Sequence, residues 1–346
     1  MRLEASATPA FARHESFHPR YGWMKKAVDG ATADPRMFTR DDAVVQLGVG
    51  KNMVRSIRFW GLATKLLTQE ADPERLRMPK TVPSRIGVTL FGGDGWDPYC
   101  EDRATLWLLH WWLLAPPSLA PAWWVTFHEF PALDFGDDDL RAFVSEFVDG
   151  VSDWDDVHSG SLKKDIDCLL RMYTAEAEGG RPTSDDLVDC PFRELGLLRP
   201  GTGRRRYRFV SSRKPGLPSA VVLFAALDFV ARTDTTARTV TMSRLATEPG
   251  GPGRAFRISE QSLIEHIEQA LPLSGPRCRL ITTTGVTQLT FDGDPAAIAT
   301  KVLHAHYLHV NPDAQPAETP IAGTAGDEPA SIVTASSSRG KAKVAG

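Results

Sequence analysis

Cysteine is scarce in this chain of 346 residues, and its four copies form no metal-binding pattern. They stand at positions 100, 168, 190 and 278, and no two of them have the close spacing of a zinc site. This distribution excludes a zinc site of the C-x-x-C kind. It also argues against a fold that depends on disulfide bonds.

Long apolar runs are also missing. The run at residues 105–115, TLWLLHWWLLA, is shorter than the roughly 20 residues that a membrane-spanning helix needs. The first residues carry no apolar signal region. With 42% hydrophobic and 24% charged residues, the composition is that of a globular protein. We therefore predict a cytoplasmic protein of two or three domains that does not enter a membrane.

A strong overall charge is absent as well, since the formal net charge is only −3. The distribution along the chain is nevertheless uneven. Between Arg13 and Arg85 there are 14 Lys and Arg against 8 Asp and Glu, whereas between Asp94 and Asp156 there are 2 Arg against 14 acidic residues. A basic first segment and an acidic middle indicate different functions for the two. The acidic middle could dock onto a basic partner protein.

Residues 38–67 predict two short helices joined by a tight turn. Asp41 and Asp42 favour a helix start because carboxylates are stabilised at the positive end of a helix. Gly48-Val49-Gly50 interrupts the helical pattern, since glycine reaches backbone angles that other residues avoid. A second helix is expected from about Lys51, with Ile57 and Trp60 turned inward at helical spacing.

The outer face of this second helix is basic and carries an amide, and its residues are Lys51, Asn52, Arg55 and Arg58. A helix pair with such a face is typical of a helix-turn-helix that enters a DNA major groove. The cationic side chains would neutralise phosphates, and the amide could contact a base edge. The alternative is an ordinary helical hairpin whose basic face is merely solvated.

A cluster of carboxylates precedes the apolar run of the middle segment. Asp97, Glu101 and Asp102 offer hard oxygen ligands for Mg²⁺ or Mn²⁺, which could polarise a phosphodiester and activate water. These three are therefore our candidate catalytic and metal-binding residues. Helix capping is the competing explanation, with Asp97 as the cap and Pro98 at the first helical position.

The C-terminal half holds a second basic segment, whose candidate DNA contacts are Arg204, Arg205 and Arg206. Strands on either side of these three arginines would form a wing with the arginines at its tip. The alternative is a solvated loop. Further along, three helices precede a hairpin at residues 279–283 and 286–291. This order predicts a winged-helix-like domain.

Local signals divide the chain into four parts. We predict an N-terminal arm with the helix-turn-helix at 1–85, an acidic helical middle at 86–180, the winged-helix-like domain at 181–312 and a disordered tail at 313–346. Prolines at 73, 79 and 83 indicate a linker at the first boundary. The expected fold class is mainly α with small β elements (α+β).

Several segments in a fixed order resemble a bacterial family known as domain of unknown function 4007. They are FHPRYGWMKKAV, LGVGKNMVRSIRFWGLATKLL, DPYCEDRATLWLLHWWL, PFRELGLL and GPGRAFRIS, and together they extend from about Phe17 to Tyr307. Members of this family resemble the B component of Ssp-type DNA phosphorothioation systems. In those systems a cysteine desulfurase, an ATPase and an ATP-pyrophosphatase-like protein place sulfur in the DNA backbone.

The resemblance implies that this chain nicks double-stranded DNA within such a modification and defence pathway. A divalent metal, Mg²⁺ or Mn²⁺, would serve that reaction, and the other proteins of the pathway would be its partners. A non-catalytic DNA-binding adaptor or transcriptional regulator is the alternative. No nuclease motif in the residues themselves distinguishes the two.

Overall fold

The computed structural model describes residues 2–154, 157–174, 190–211, 214, 216–234 and 236–323. Over these residues the protein is mainly helical with small antiparallel sheets, which confirms the predicted fold class. One continuous apolar core extends from Leu3 to Ala322. Within the described ranges, no helix combines the length and apolar character that crossing a membrane requires.

The N-terminal part contains five helices and one hairpin, which are α1 (Leu3–Ser6), α2 (Trp23–Ala33), α3 (Ala43–Leu47), α4 (Lys51–Ala63), β1 (Leu67–Glu70), β2 (Lys80–Pro83) and α5 (Arg85–Phe91). Strands β1 and β2 are antiparallel, with Leu67 opposite Pro83. The predicted linker is therefore wrong for residues 80–83. Pro83 is accommodated because it stands at the end of its strand, where its missing N–H costs little.

The α3–α4 pair has the helical pattern that residues 38–67 predict. Gly48 adopts a left-handed conformation with φ of 63° and ends α3, which has only five residues. In α4, Ile57 and Trp60 are fully buried, and the helix packs against α2. The apolar face of α4 is thus an internal one, and its basic face is left for solvent or a ligand.

The middle part contains four helices and a short strand, which are α6 (Arg103–Leu114), α7 (Pro121–His128), β3 (Asp134–Gly136), α8 (Asp137–Asp149) and α9 (Ser159–Tyr173). Every side chain of α6 from Ala104 to Leu114 is buried. A helix that is apolar all round belongs in a core, so its position is understandable from sequence. Its start is not the predicted one, because Pro98 lies in a turn and α6 begins at Arg103.

The C-terminal part is built from β4 (Leu198–Pro200), β5 (Arg206–Phe209), α10 (Ser219–Thr233), β6 (Thr239–Thr241), α11 (Met242–Thr247), α12 (Pro252–Phe256), α13 (Glu260–Ala270), β7 (Cys278–Thr283), β8 (Val286–Phe291) and α14 (Pro295–Tyr307). Its sheet has the order β6-β8-β7, all antiparallel. Helix α14 packs along α10 and covers its apolar surface.

Two features cross the boundaries that the sequence suggests. The sheet β3-β5-β4 pairs a strand of the acidic middle with the basic hairpin beyond residue 180. Residues 313–323 were expected to begin a disordered tail, but Ala314, Ile321 and Ala322 are buried against the core, and Ile321 is 1% exposed. The Gly323 N–H donates to Asp228 Oδ1 at 2.5 Å. Residues 324–346 of the predicted tail lie outside the described residues.

Candidate nucleic-acid interface

The four predicted DNA contacts of α4 have two different environments. Lys51 and Asn52 are exposed in the first turn of the helix. Arg55 is also exposed but makes an ion pair with Glu15, at 3.4 Å between Nη1 and Oε1. Arg58 is partly buried, and its Nε donates to Thr81 Oγ1 at 3.0 Å. The helix therefore does not present one uninterrupted basic face.

Arg58 is unusual because no carboxylate compensates it among the residues that the structure describes. Burial lowers the pKa of its guanidinium below the ordinary value. Removing a cation from water without an anionic partner is unfavourable, so such a group attracts an anion. Thr81 supplies one hydrogen-bond acceptor but no charge.

Arg58 lies in a cleft between α4 and the N-terminal arm, which we call the arginine cleft. Its charged lining residues are Arg13, Glu15, Arg55 and Arg58, and its walls include Phe38, Leu62 and Leu119. Three arginines and one glutamate give the lining a formal charge of +2. The cleft has a volume of about 610 Å³, which is within the range of roughly 300 to 1,000 Å³ that small-molecule sites occupy.

The arm that closes the arginine cleft is held by a buried His–Asp contact. His14 Nε2 lies 2.7 Å from Asp165 Oδ1, and both residues are at most 2% exposed. The Ser16 N–H donates to Nδ1 of His14, so Nε2 carries the proton and donates to the carboxylate. Asp165 also accepts the Ala12 N–H at 2.8 Å. Residues 12–16 are therefore fixed opposite α4.

The predicted catalytic carboxylates do not converge on one point. Asp97 is 3% exposed, and its oxygens accept the N–H groups of Glu101 at 2.8 Å and Asp102 at 3.1 Å. Thr105 Oγ1 also donates to Asp97 at 2.5 Å. Asp97 thus holds the turn before α6, while the side chain of Glu101 is exposed.

Asp102 has a different role and an unexpected partner. Its side chain caps α6 by accepting the Ala104 N–H at 2.6 Å. His306 Nε2, from α14, lies 3.4 Å from the carboxylate. Burial opposes ionisation of Asp102, but these hydrogen bonds outweigh it and lower its pKa. The sequence does not point to His306, because this residue lies 204 positions from Asp102 and belongs to no motif.

These residues do not fit a metal site made by the protein alone. Across the described ranges, His, Cys, Asp and Glu side chains form no group of three or more that could hold a metal ion. The carboxylate oxygens of Asp97 in particular already accept hydrogen bonds from three donors within the protein. The hydrogen bonds of Asp97 and Asp102 agree with the capping explanation. The helix itself begins at Arg103 and not at Pro98.

We predict that Asp97→Ala reduces the free energy of unfolding by about 3 kcal/mol, because three donors near the start of α6 lose their acceptor. Urea denaturation monitored by tryptophan fluorescence measures this change. Asp94→Ala, in the preceding turn, is the control and is expected to change stability by less than about 0.5 kcal/mol. Equal stability of the two variants would show that the Asp97 contacts are dispensable.

The basic tip before β5 faces acidic residues of the middle segment. Arg206 Nη2 lies 2.6 Å from Asp134, and Arg205 makes an ion pair with Asp137. Arg204 is exposed and has no ion pair within the described part of the chain. Two of the three arginines proposed for DNA contact therefore form ion pairs with neighbouring carboxylates.

Two buried histidines are structural. His110 donates through Nε2 to the Ala255 carbonyl at 2.8 Å and accepts the Tyr173 hydroxyl at Nδ1. Burial lowers the pKa of His110 to about 4. His128 accepts the Gly250 N–H at 3.2 Å, and burial holds its pKa well below the ordinary value, with the nearby Arg257 acting in the same direction. Both are neutral at pH 7, as expected for core histidines.

Comparison with known proteins places the chain in a family. No curated protein matches it. A crystal structure of SspB is 39% identical, with a TM-score of 0.84, and the match covers 90% of this chain and 91% of that one. A magnesium-bound crystal structure of SspB has the same identity and TM-score, with 91% and 93% covered. The model of the family "Protein of unknown function (DUF4007)" matches residues 11–307, and the chain therefore belongs to this family.

Proposed function

We propose that this chain is the DNA-binding component of a bacterial DNA phosphorothioation system and that it nicks DNA there. The observation that carries the proposal is the 39% identity to SspB over nine-tenths of both chains. Conservation of fold at this identity makes a related activity the simplest expectation. The family resemblance of the five sequence segments points to the same pathway.

The surface of the protein supports contact with nucleic acid. Exposed Lys51 and Asn52 are available for phosphate and base contacts at the start of α4. The arginine cleft adjoins them along the same helix and has a net positive lining. The series α10, β6, α11, α13, β7 and β8 has the order of helices and strands of a winged helix, with the short α12 inserted before α13, and this supports a second binding module.

Exposed carboxylates of the acidic middle support the part of the proposal that concerns protein partners. On α8, Asp138 and Glu146 are exposed, and the side chain of Asp138 is 86% exposed. A basic surface on the cysteine desulfurase, the ATPase or the ATP-pyrophosphatase-like protein would be electrostatically complementary to this face.

The adaptor or regulator remains the second candidate. One observation favours it, which is that the described residues form no protein-built metal site. The magnesium-bound SspB structure favours the nickase and makes a divalent cation the first condition to test. We propose Glu101 and Asp102 as the carboxylates that serve nicking, since both reach the surface more than Asp97 does.

A nicking assay with supercoiled plasmid separates the two candidates. We expect conversion to open circle with Mg²⁺ or Mn²⁺ and none with EDTA. The variant Glu101→Gln/Asp102→Asn should slow nicking by at least about tenfold. Asparagine caps helices as well as aspartate does, so this variant keeps the start of α6. Asp138→Asn is the matched control, and wild-type nicking by the Glu101/Asp102 variant would remove these residues from the proposal.

Binding of duplex DNA tests the role of α4 separately. Replacing Lys51 by Ala is expected to weaken binding of all sequences and to reduce the slope of log K against log salt by about 1, because one phosphate contact is lost. Fluorescence anisotropy at several salt concentrations measures both quantities. Lys163→Ala, at an exposed position of α9, is the control. An unchanged slope for Lys51→Ala would exclude contact between this residue and DNA.

A further inference from the structure

The arginine cleft is shaped for something smaller than a duplex. Arg58 lies inside it rather than on an open helix face, and the arm at residues 12–16 forms the opposite wall. The buried contacts of His14 and Asp165 hold that arm in place. A recognition helix needs an uncovered face to enter a major groove. The Arg58 end of α4 has no such face.

The cleft combines cationic and apolar walls in the manner of a nucleotide site. Arg13, Arg55 and Arg58 can surround a phosphate, and Glu15 is the one acidic residue that the described part of the chain contributes to the lining. Phe38 is partly exposed in the same lining, beside Leu62 and Leu119. Bases stack on aromatic side chains in proteins that bind single strands, while arginines follow the phosphates.

We propose that the arginine cleft binds one unpaired nucleotide of a DNA strand, with the phosphate at Arg58 and Arg13 and the base against Phe38. The inference rests on the proposed DNA-binding function and narrows its substrate to DNA with a locally unpaired position. Such a site would explain why Arg58 has no carboxylate partner among the described residues, because the bound phosphate supplies an anion. It also assigns Lys51 and Asn52 to the neighbouring duplex.

Replacing Glu15 tests this assignment through the direction in which the affinity changes. Its carboxylate lies 3.4 Å from Arg55 and competes with a phosphate for that guanidinium. Glu15→Gln should therefore tighten binding of an unpaired nucleotide by about threefold, whereas a purely structural role of the ion pair would weaken it or leave it unchanged. Arg58→Gln keeps a donor for Thr81 and should weaken the same binding by about tenfold.

The experiment uses full-length protein and a duplex that carries a single unpaired 2-aminopurine. Anisotropy gives the affinity, and the 2-aminopurine emission reports stacking on an aromatic side chain. The fully paired duplex and free dAMP are the comparison ligands. We expect the unpaired probe to bind about tenfold more tightly than the paired duplex. Arg13→Ala, at an exposed position where folding is not at risk, should weaken it as well. Arg141→Ala, outside the cleft, is the control.

Each outcome decides a specific point. Equal affinity for paired and unpaired probes, with no effect of Arg13→Ala or Arg58→Gln, would overturn the inference but leave the DNA-binding function intact. Binding of free dAMP as tight as that of the unpaired probe would show a site for free nucleotides and overturn the assignment to a strand. Failure of the wild-type protein to bind any DNA would overturn both the proposed function and this inference.

Discussion

Asp228→Ala is expected to reduce the free energy of unfolding by about 3 to 5 kcal/mol, because it leaves a buried guanidinium without its anion. Arg232 Nη2 lies 2.7 Å from Asp228, and their side chains are 8% and 2% exposed. Trp111 Nε1 donates to the same carboxylate at 2.6 Å, and the Gly323 N–H does so at 2.5 Å. One carboxylate thus joins α6, α10 and the C-terminal segment. Urea unfolding followed by circular dichroism measures the loss.

The chain contains a matched pair at a partly exposed position for comparison. Arg244 and Glu248 also stand four residues apart, at 2.5 Å, but their side chains are 34% and 30% exposed. Glu248→Ala should cost less than about 1 kcal/mol, because water screens this pair. The Asp228→Ala/Arg232→Ala double variant should lose less stability than the sum of the single variants. Similar losses for Asp228→Ala and Glu248→Ala would contradict the importance of burial.

Acidification from pH 6.5 toward pH 4 is expected to destabilise the protein by up to about 3 kcal/mol through His110 alone. Its pKa is about 4 in the folded protein and 6.5 as the ordinary value. The unfolded state therefore binds a proton across this interval while the folded state does not. The contribution of neutral, buried His110 to the free energy of unfolding is fully present above pH 6.5 and is lost as the pH falls. His128, whose pKa is lowered in the same direction, adds to the slope.

Urea midpoints measured between pH 8 and pH 4.5 test this prediction. His110→Gln removes the titrating group and should flatten the dependence of stability on pH, even if its stability at pH 8 is lower. His309→Gln makes the same substitution at an exposed position and should leave the slope unchanged. If His110→Gln retained the wild-type slope, the acid sensitivity would have to come from other groups.

Helix positions followed from sequence where one periodicity dominated. The helical spacing predicts Ile57 and Trp60 on the inward face of α4, which the structure confirms, and α6 is buried along its all-apolar run. Serine is a residue type that caps helices, and the hydroxyl of Ser259 accepts the Ser262 N–H at 3.2 Å at the start of α13. These features depend on residues within a few positions of one another, so local rules are sufficient.

Local sequence patterns did not predict the boundaries of helices and strands where two neighbouring positions were equally suitable. Asp97 and Asp102 are both suitable N-caps, and only the structure shows that the second begins the helix. The acidic residues at 137–139 fit the first turn of α8, and no local pattern marks β3, the strand of three residues that precedes it. Such a short strand exists only because β5 pairs with it. Strand pairing between distant segments is not encoded in local propensity.

By itself, the sequence determined the family, the mainly helical fold class and the contrast between a basic first segment and an acidic middle. Composition, periodicity and motif order along the chain contain that information. Only the tertiary structure decided which charges remain available. It paired Arg205 and Arg206 with carboxylates from the middle segment and brought Arg13 and Glu15 opposite α4. The physical reason is that the energy of a charge depends on burial and on its nearest partners, which folding brings together from distant positions.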